Sequence, residues 1–139
     1  MPATTRLLPL PTEITRDLFI GYHITLAVLR QGRGDARHFS AMAGIIVITC
    51  YLLDAGYGEA CQDAMAEVQE ALVRCNRIAE ITGVSGIDEA TFDLLADLLT
   101  LHELQMRVAP FHVVEKANRR MLQAARAPSA GRSDIHKAA

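Results

Sequence analysis

Phe39-Ser40-Ala41-Met42-Ala43-Gly44-Ile45-Ile46-Val47-Ile48-Thr49-Cys50-Tyr51-Leu52-Leu53 holds two polar side chains, Ser40 and Thr49. Nine positions at about 100° each put them on opposite sides of a helix, so the segment has no polar face. Such a run is shorter than the ~20 apolar residues that cross a bilayer. A helix apolar all round belongs inside a protein. The expectation is an all-α fold, an antiparallel four- to five-helix bundle, with this second helix, roughly Arg37 to Asp54, at its centre. Asp35 is placed to cap it, and Gly56-Tyr57-Gly58 ends it. Ser40, Ala41, Ala43 and Gly44 form a small-residue patch that a neighbouring helix can approach closely.

Outward from this run, the apolar spacing predicts four more helices. Pro9 and Pro11 make residues 1–11 an extended arm. Thr12 reads as an N-cap, and Ile14, Leu18, Tyr22, Thr25 or Leu26, and Leu29 recur as an inward stripe up to Gly32-Arg33-Gly34. From Glu59 to Thr82, Cys61, Met65, Val68, Leu72, Cys75 and Ala79 make a heptad-like seam, widened by Ala64, Ala71 and Ile78. Glu70 and Arg74 are spaced as an i,i+4 pair, and Gly83 closes the helix. From Asp88 to Val108 the inner stripe is Leu95, Leu98 or Leu99, His102 and Met106, continued by Ala109. Pro110 breaks that helix, and Phe111 to Arg126 forms a fifth, with Val114, Ala117, Met121 and Ala124 or Ala125 inward. Residues 12–126 thus form one bundle domain with short antiparallel connections. Residues 127–139 have the composition of a disordered basic tail.

Half the residues are hydrophobic, but there are four Phe, three Tyr and no Trp, so the core is aliphatic. Cys50, Cys61 and Cys75 are an odd set inside apolar runs and read as small core hydrophobes in a reducing compartment. The N-terminal apolar stretch is too short for a signal-peptide core. The net charge of −2 conceals a segregation: Asp54 to Glu103 holds eleven acids against two bases, and Leu104 to Ala139 holds seven bases against two acids. A dedicated DNA-binding domain is usually basic overall, which this balance does not match.

The chemistry-bearing candidates are few. Leu101-His102-Glu103-Leu104-Gln105-Met106 opens like a zinc-protease helix but has Met106 where the second His belongs, so it cannot present two imidazoles on one face. His102 reads instead as a buried polar side chain with a hydrogen-bond partner. Arg30, Arg33, Arg37 and His38 surround the Gly32–Gly34 turn and are a candidate anion site at a helix N-terminus, which Asp35 would itself compete for. Lys116, Arg119, Arg120 and Arg126 are candidate phosphate contacts, though no aromatics are interleaved for base stacking. Leu95-Ala96-Asp97-Leu98-Leu99 spells a docking pattern that any buried helix face also produces. No catalytic set, metal site or cofactor is expected.

Arg37-His38-Phe39, Gly56-Tyr57-Gly58, Gln69-Glu70-Ala71-Leu72-Val73-Arg74, Thr82-Gly83 and Leu101-His102-Glu103-Leu104-Gln105 together resemble a family of small helical proteins of proteobacteria and their mobile elements, sometimes labelled Fis-like transcriptional regulators. The resemblance spans roughly Phe19 to Gln105. It implies a bacterial cytoplasmic setting. The label also implies a C-terminal helix-turn-helix, whereas one helical segment follows Pro110. The function expected is a non-enzymatic interaction or scaffold protein, homodimeric or bound to another protein and not to a membrane, with Ser40, Ala41, Gly44 and Ile48 as the candidate interface. A DNA-associated regulator using the basic last helix, and a binder of small ligands or anions, are the alternatives.

Overall fold

The computed structural model describes residues 6–126; the first five residues of the expected arm and the 127–139 tail lie outside them. The described residues form an all-α bundle of five helices: α1 (Thr12–Arg30), α2 (Ala36–Asp54), α3 (Gln62–Thr82), α4 (Glu89–Val108) and α5 (Phe111–Ala125). Two sets of loop contacts fix the topology. At one end the α1–α2 turn meets the α3–α4 turn, with Gly34 N–H donating to Ser85 C=O at 3.2 Å and Ile87 N–H to Leu29 C=O at 3.2 Å. At the other end the α2–α3 loop meets the last turns of α4, where the Gln105 side chain donates to Tyr57 C=O at 3.0 Å. Helices α1 to α4 therefore alternate up and down. α5 runs back along α2, with Met121 against Gly44 and Arg120 against Tyr51.

α2 is central, packed by all four other helices. Asp35 caps it: its carboxylate accepts from Arg37 N–H at 2.8 Å, and His38 Nδ1 accepts from Asp35 N–H at 3.0 Å. Phe39, Met42, Ile45, Ile46, Thr49 and Leu52 are buried, and Thr49 returns its hydroxyl to Ile45 C=O. Gly56 (φ +97°) ends the helix, with Tyr57 N–H on Leu52 C=O and Gly56 N–H on Leu53 C=O, a Schellman turn. The helix extends past its apolar run to 19 residues, so by length and composition α2 is the one described helix apolar enough to cross a membrane. All four other helices contact it, and 33 % of its apolar window is buried inside the bundle.

Several sequence expectations shift in register. Thr12 does not cap α1. Pro11 occupies the cap position without a side-chain bond, and its carbonyl accepts from Thr15 N–H at 3.1 Å. The inward stripe of α1 is Thr15, Phe19, Leu26 and Leu29 with half-buried Tyr22, so Ile14 and Leu18 are exposed. The difference is confined to the first half of the helix, where Phe19 packs its ring on Tyr22 and His102 at centroid distances of 5.1 and 5.5 Å; Tyr22, Leu26 and Leu29 face inward as expected. α3 starts at Gln62, not Glu59, because the preceding residues are used in the loop that brings Tyr57 to α4. Cys61 is consequently exposed and caps α3 through its sulfur, which accepts from Ala64 N–H at 3.3 Å. Ala64 and Ile78 are exposed rather than part of the seam, and Ala124 and Ala125, at the end of α5 beyond its contact with α2, are exposed rather than inward. Arg74 pairs across the bundle with Asp88 at 3.1 Å, not with Glu70.

Gly44 explains how α5 lies flat on α2. A Cβ added there would stand 3.5 Å from Met121 Sδ, ordinary van der Waals contact. Gly44→Ala is therefore expected to stabilise the fold by about 0.5–1 kcal/mol through helix propensity. Gly44→Leu, which must push Met121 aside, is expected to destabilise it. Urea denaturation of the two variants checks both signs.

Candidate functional site

The deepest polar feature is a cluster built on α4. His102 is 2 % exposed and Gln105 is fully buried. Gln105 Nε2 donates to Thr49 C=O at 3.1 Å and to Tyr57 C=O at 3.0 Å. With both amide hydrogens engaged, Gln105 Oε1 is left to face His102 Nδ1 at 3.1 Å, so Nδ1 is the protonated nitrogen. One side chain thus joins α2, the α2–α3 loop and α4. Gly58 makes room for it: at φ +83°, a Cβ there would come within 3.1 Å of Leu101 Cδ1 and 3.4 Å of Gln105 Cγ. Burial pushes the His102 pKa down, and the smaller opposing effect of the Gln105 bond does not reverse it. The imidazole is therefore neutral and structural. Glu103, the next residue of the zinc-protease-like stretch, faces away and pairs with Arg107 at 3.2 Å. Among the described residues, no three His, Cys, Asp or Glu side chains converge on a metal-sized site.

Much of the candidate anion site is already engaged within the chain. Arg30 makes a two-pronged bond to Glu89 at 2.9 and 3.1 Å and covers the Phe92 ring at 4.1 Å. Arg37 is paired with Asp35 at 3.0 Å, and this side-chain bond is the main reason the Asp35 carboxyl is lowered to about 2. His38 closes the capping box. Arg33 stands exposed on the turn. The four residues are neighbours, but Asp35 occupies the helix N-terminus they surround.

The candidate interface is divided between two neighbours. Gly44 is covered by Met121, and Ile48 is half-buried against the core. Ser40 and Ala41 are exposed. Ser40 and Ala43 line a cavity of about 300 Å³ between α2 and α3, opposite Leu72, Val73 and Asn76. The basic residues of the last helix are all exposed: Arg119 lies 3.8 Å from Glu115, and Arg120 sits over Tyr51 at 5.8 Å. Sequence reasoning found no aromatic partner for them because Tyr51 lies on another helix.

The outer face of α1 was not singled out by the sequence. Ile20 and Ile24 are 53 % and 58 % exposed, and Ile24 stands opposite the buried Phe19–Leu26 stripe. Nothing lies within 4 Å of where a Cβ on Gly21 would be. The i,i+4 spacing of Ile20 and Ile24 carries the signal for this second exposed apolar pair.

No known protein family, characterised protein or solved structure matches this chain.

Two consequences of the polar cluster are measurable. Gln105→Leu strands the Tyr57 carbonyl and the His102 Nδ1–H, and is expected to cost about 2–5 kcal/mol in denaturant unfolding. The folded state holds His102 neutral while the unfolded imidazole takes up a proton near its ordinary pKa of ~6.5. Stability should therefore fall as the pH drops below ~6.5, by at most about 1.4 kcal/mol per pH unit from this residue. His102→Leu should flatten that slope.

Proposed function

We propose that this chain is a non-enzymatic helical interaction protein that self-associates as an isologous dimer through the outer face of α1. The observation that carries the reading is that α1 exposes large apolar side chains away from its buried stripe. The inner side is buried against α4, while Ile20 and Ile24 stand in solvent on the outer side, beside Glu13 and Asp17, with Ile14 and Leu18 exposed at one edge. A helix with apolar residues on opposite sides sits between two partners, and the described chain provides one.

A second copy fits this face. Gly21, with open space above it, lets two α1 helices approach closely. An antiparallel pair centred near Ile24 sets Glu13, at the acidic start of one helix, toward Arg33, beyond the end of the other. Arg33 has no carboxylate within 4 Å among the described residues. Closed twofold pairing is also the commonest form of soluble homo-oligomer. The small-residue patch at Ser40 and Ala41 offers less: two small side chains beside a surface that α5 already covers. The three unpaired cysteines fit a reducing compartment such as the bacterial cytoplasm.

Light scattering after size exclusion, across a dilution series, tests the proposal. A dimer is expected at micromolar concentration, and Ile24→Asp should convert it to a monomer of unchanged helicity. A wild-type monomer, or an Ile24→Asp dimer, would overturn it.

A further inference from the structure

α5 and the C-terminal end of α2 enclose a cavity of about 240 Å³ lined by Tyr51, Ala55, His112, Val113, Lys116, Ala117 and Arg120. Three of these, His112, Lys116 and Arg120, follow at i, i+4 and i+8 and so share one stripe of α5. Among the described residues, no carboxylate comes within 4 Å of any of the three. Glu115, on the same helix, binds Arg6 at 2.8 Å.

The cations are not there to complete the end of α2. The Tyr51, Leu52 and Leu53 carbonyls are already satisfied by Ala55, Tyr57 and Gly56 N–H groups at 2.9–3.0 Å. Tyr51 adds an aromatic ring beside the stripe, with the Arg120 guanidinium over it, 5.8 Å from its centroid. Val113 and Ala117 add apolar lining. Cations without a carboxylate partner beside a ring with apolar neighbours suit an anion joined to a flat, apolar group. The volume lies below the ~300 Å³ at which sites for drug-sized ligands begin.

We propose that this cavity binds a small phosphate monoester carrying a single ring, with Lys116 and Arg120 on the phosphate and Tyr51 against the ring. Arginine and lysine are the side chains that hold phosphate, the first through a planar fork and the second as a point charge. The site shares no residue with the α1 face.

Isothermal titration of the full chain with phenyl phosphate, inorganic phosphate and a short DNA duplex is the test. Phenyl phosphate is expected to bind more tightly than inorganic phosphate. Lys116→Ala and Arg120→Ala should each weaken it by about tenfold or more, while Arg119→Ala, on the neighbouring stripe, should change it less than twofold. Circular dichroism of each variant confirms that the helices persist. No binding of phenyl phosphate at millimolar concentration would overturn the proposal, as would equal binding by the Lys116 and Arg120 variants. Tight duplex binding weakened equally by Arg119→Ala would replace it with a nucleic-acid surface.

Discussion

A helix without a polar face has to be covered, and α2 imposes that requirement on the other four elements. α1, α3 and α4 pack on it from one end of the bundle to the other, and α5 folds back along the strip that they leave. Ser40, Ala41 and Ala43 remain exposed on its small-residue side, and Val47, Ile48, Cys50, Tyr51 and Leu53 are half-buried. Coverage alone would allow the helices to slide and rotate, since aliphatic packing tolerates several registers. The Gln105 amide removes that freedom. Its two donors reach a carbonyl on α2 and one in the α2–α3 loop, and its oxygen fixes the tautomer of His102. His102 in turn lies against Phe19 and Tyr22 of α1. One buried chain of contacts thus sets α1, α2 and α4 relative to each other.

The fold was legible from the sequence because its strongest signals are local. The apolar run, the Asp35 cap, the Gly83 terminus (φ +76°) and the Pro110 break all act within a few residues, and the structure has helix boundaries at each. The misreadings came from long-range contacts. The burial of Phe19 in place of Leu18 goes with its contact with His102, residues far apart in the chain. The late start of α3 follows from Tyr57 bonding to Gln105, and the loss of the Glu70–Arg74 pair from Asp88 being closer in space. Spacing along one helix carries no information about any of these.

Sites were less legible for the same reason. His102 and its need for a partner could be read, but Gln105 looked like one more residue after a broken metal motif. The basic stripe of α5 could be read, while the Tyr51 ring that faces it lies on α2. The outer isoleucines of α1 were hidden by the assumption that one helix has one apolar face. The features that bear on function are thus the places where two elements meet or where a face lacks its partner. Arg74–Asp88 and Arg30–Glu89 link helices through bases that lie before the basic C-terminal segment, while Lys116 and Arg120 within that segment have no carboxylate within 4 Å among the described residues.

The central position of α2 is most directly tested by amide hydrogen exchange followed by NMR. If four helices cover it and Gln105 anchors it, the amides of Ile45 to Leu53 exchange only by global unfolding. Their protection then equals the free energy of unfolding measured with denaturant and matches that of α4 around Leu99. Exchange of the α2 amides through a smaller opening, while α1 and α4 stay protected, would contradict the account.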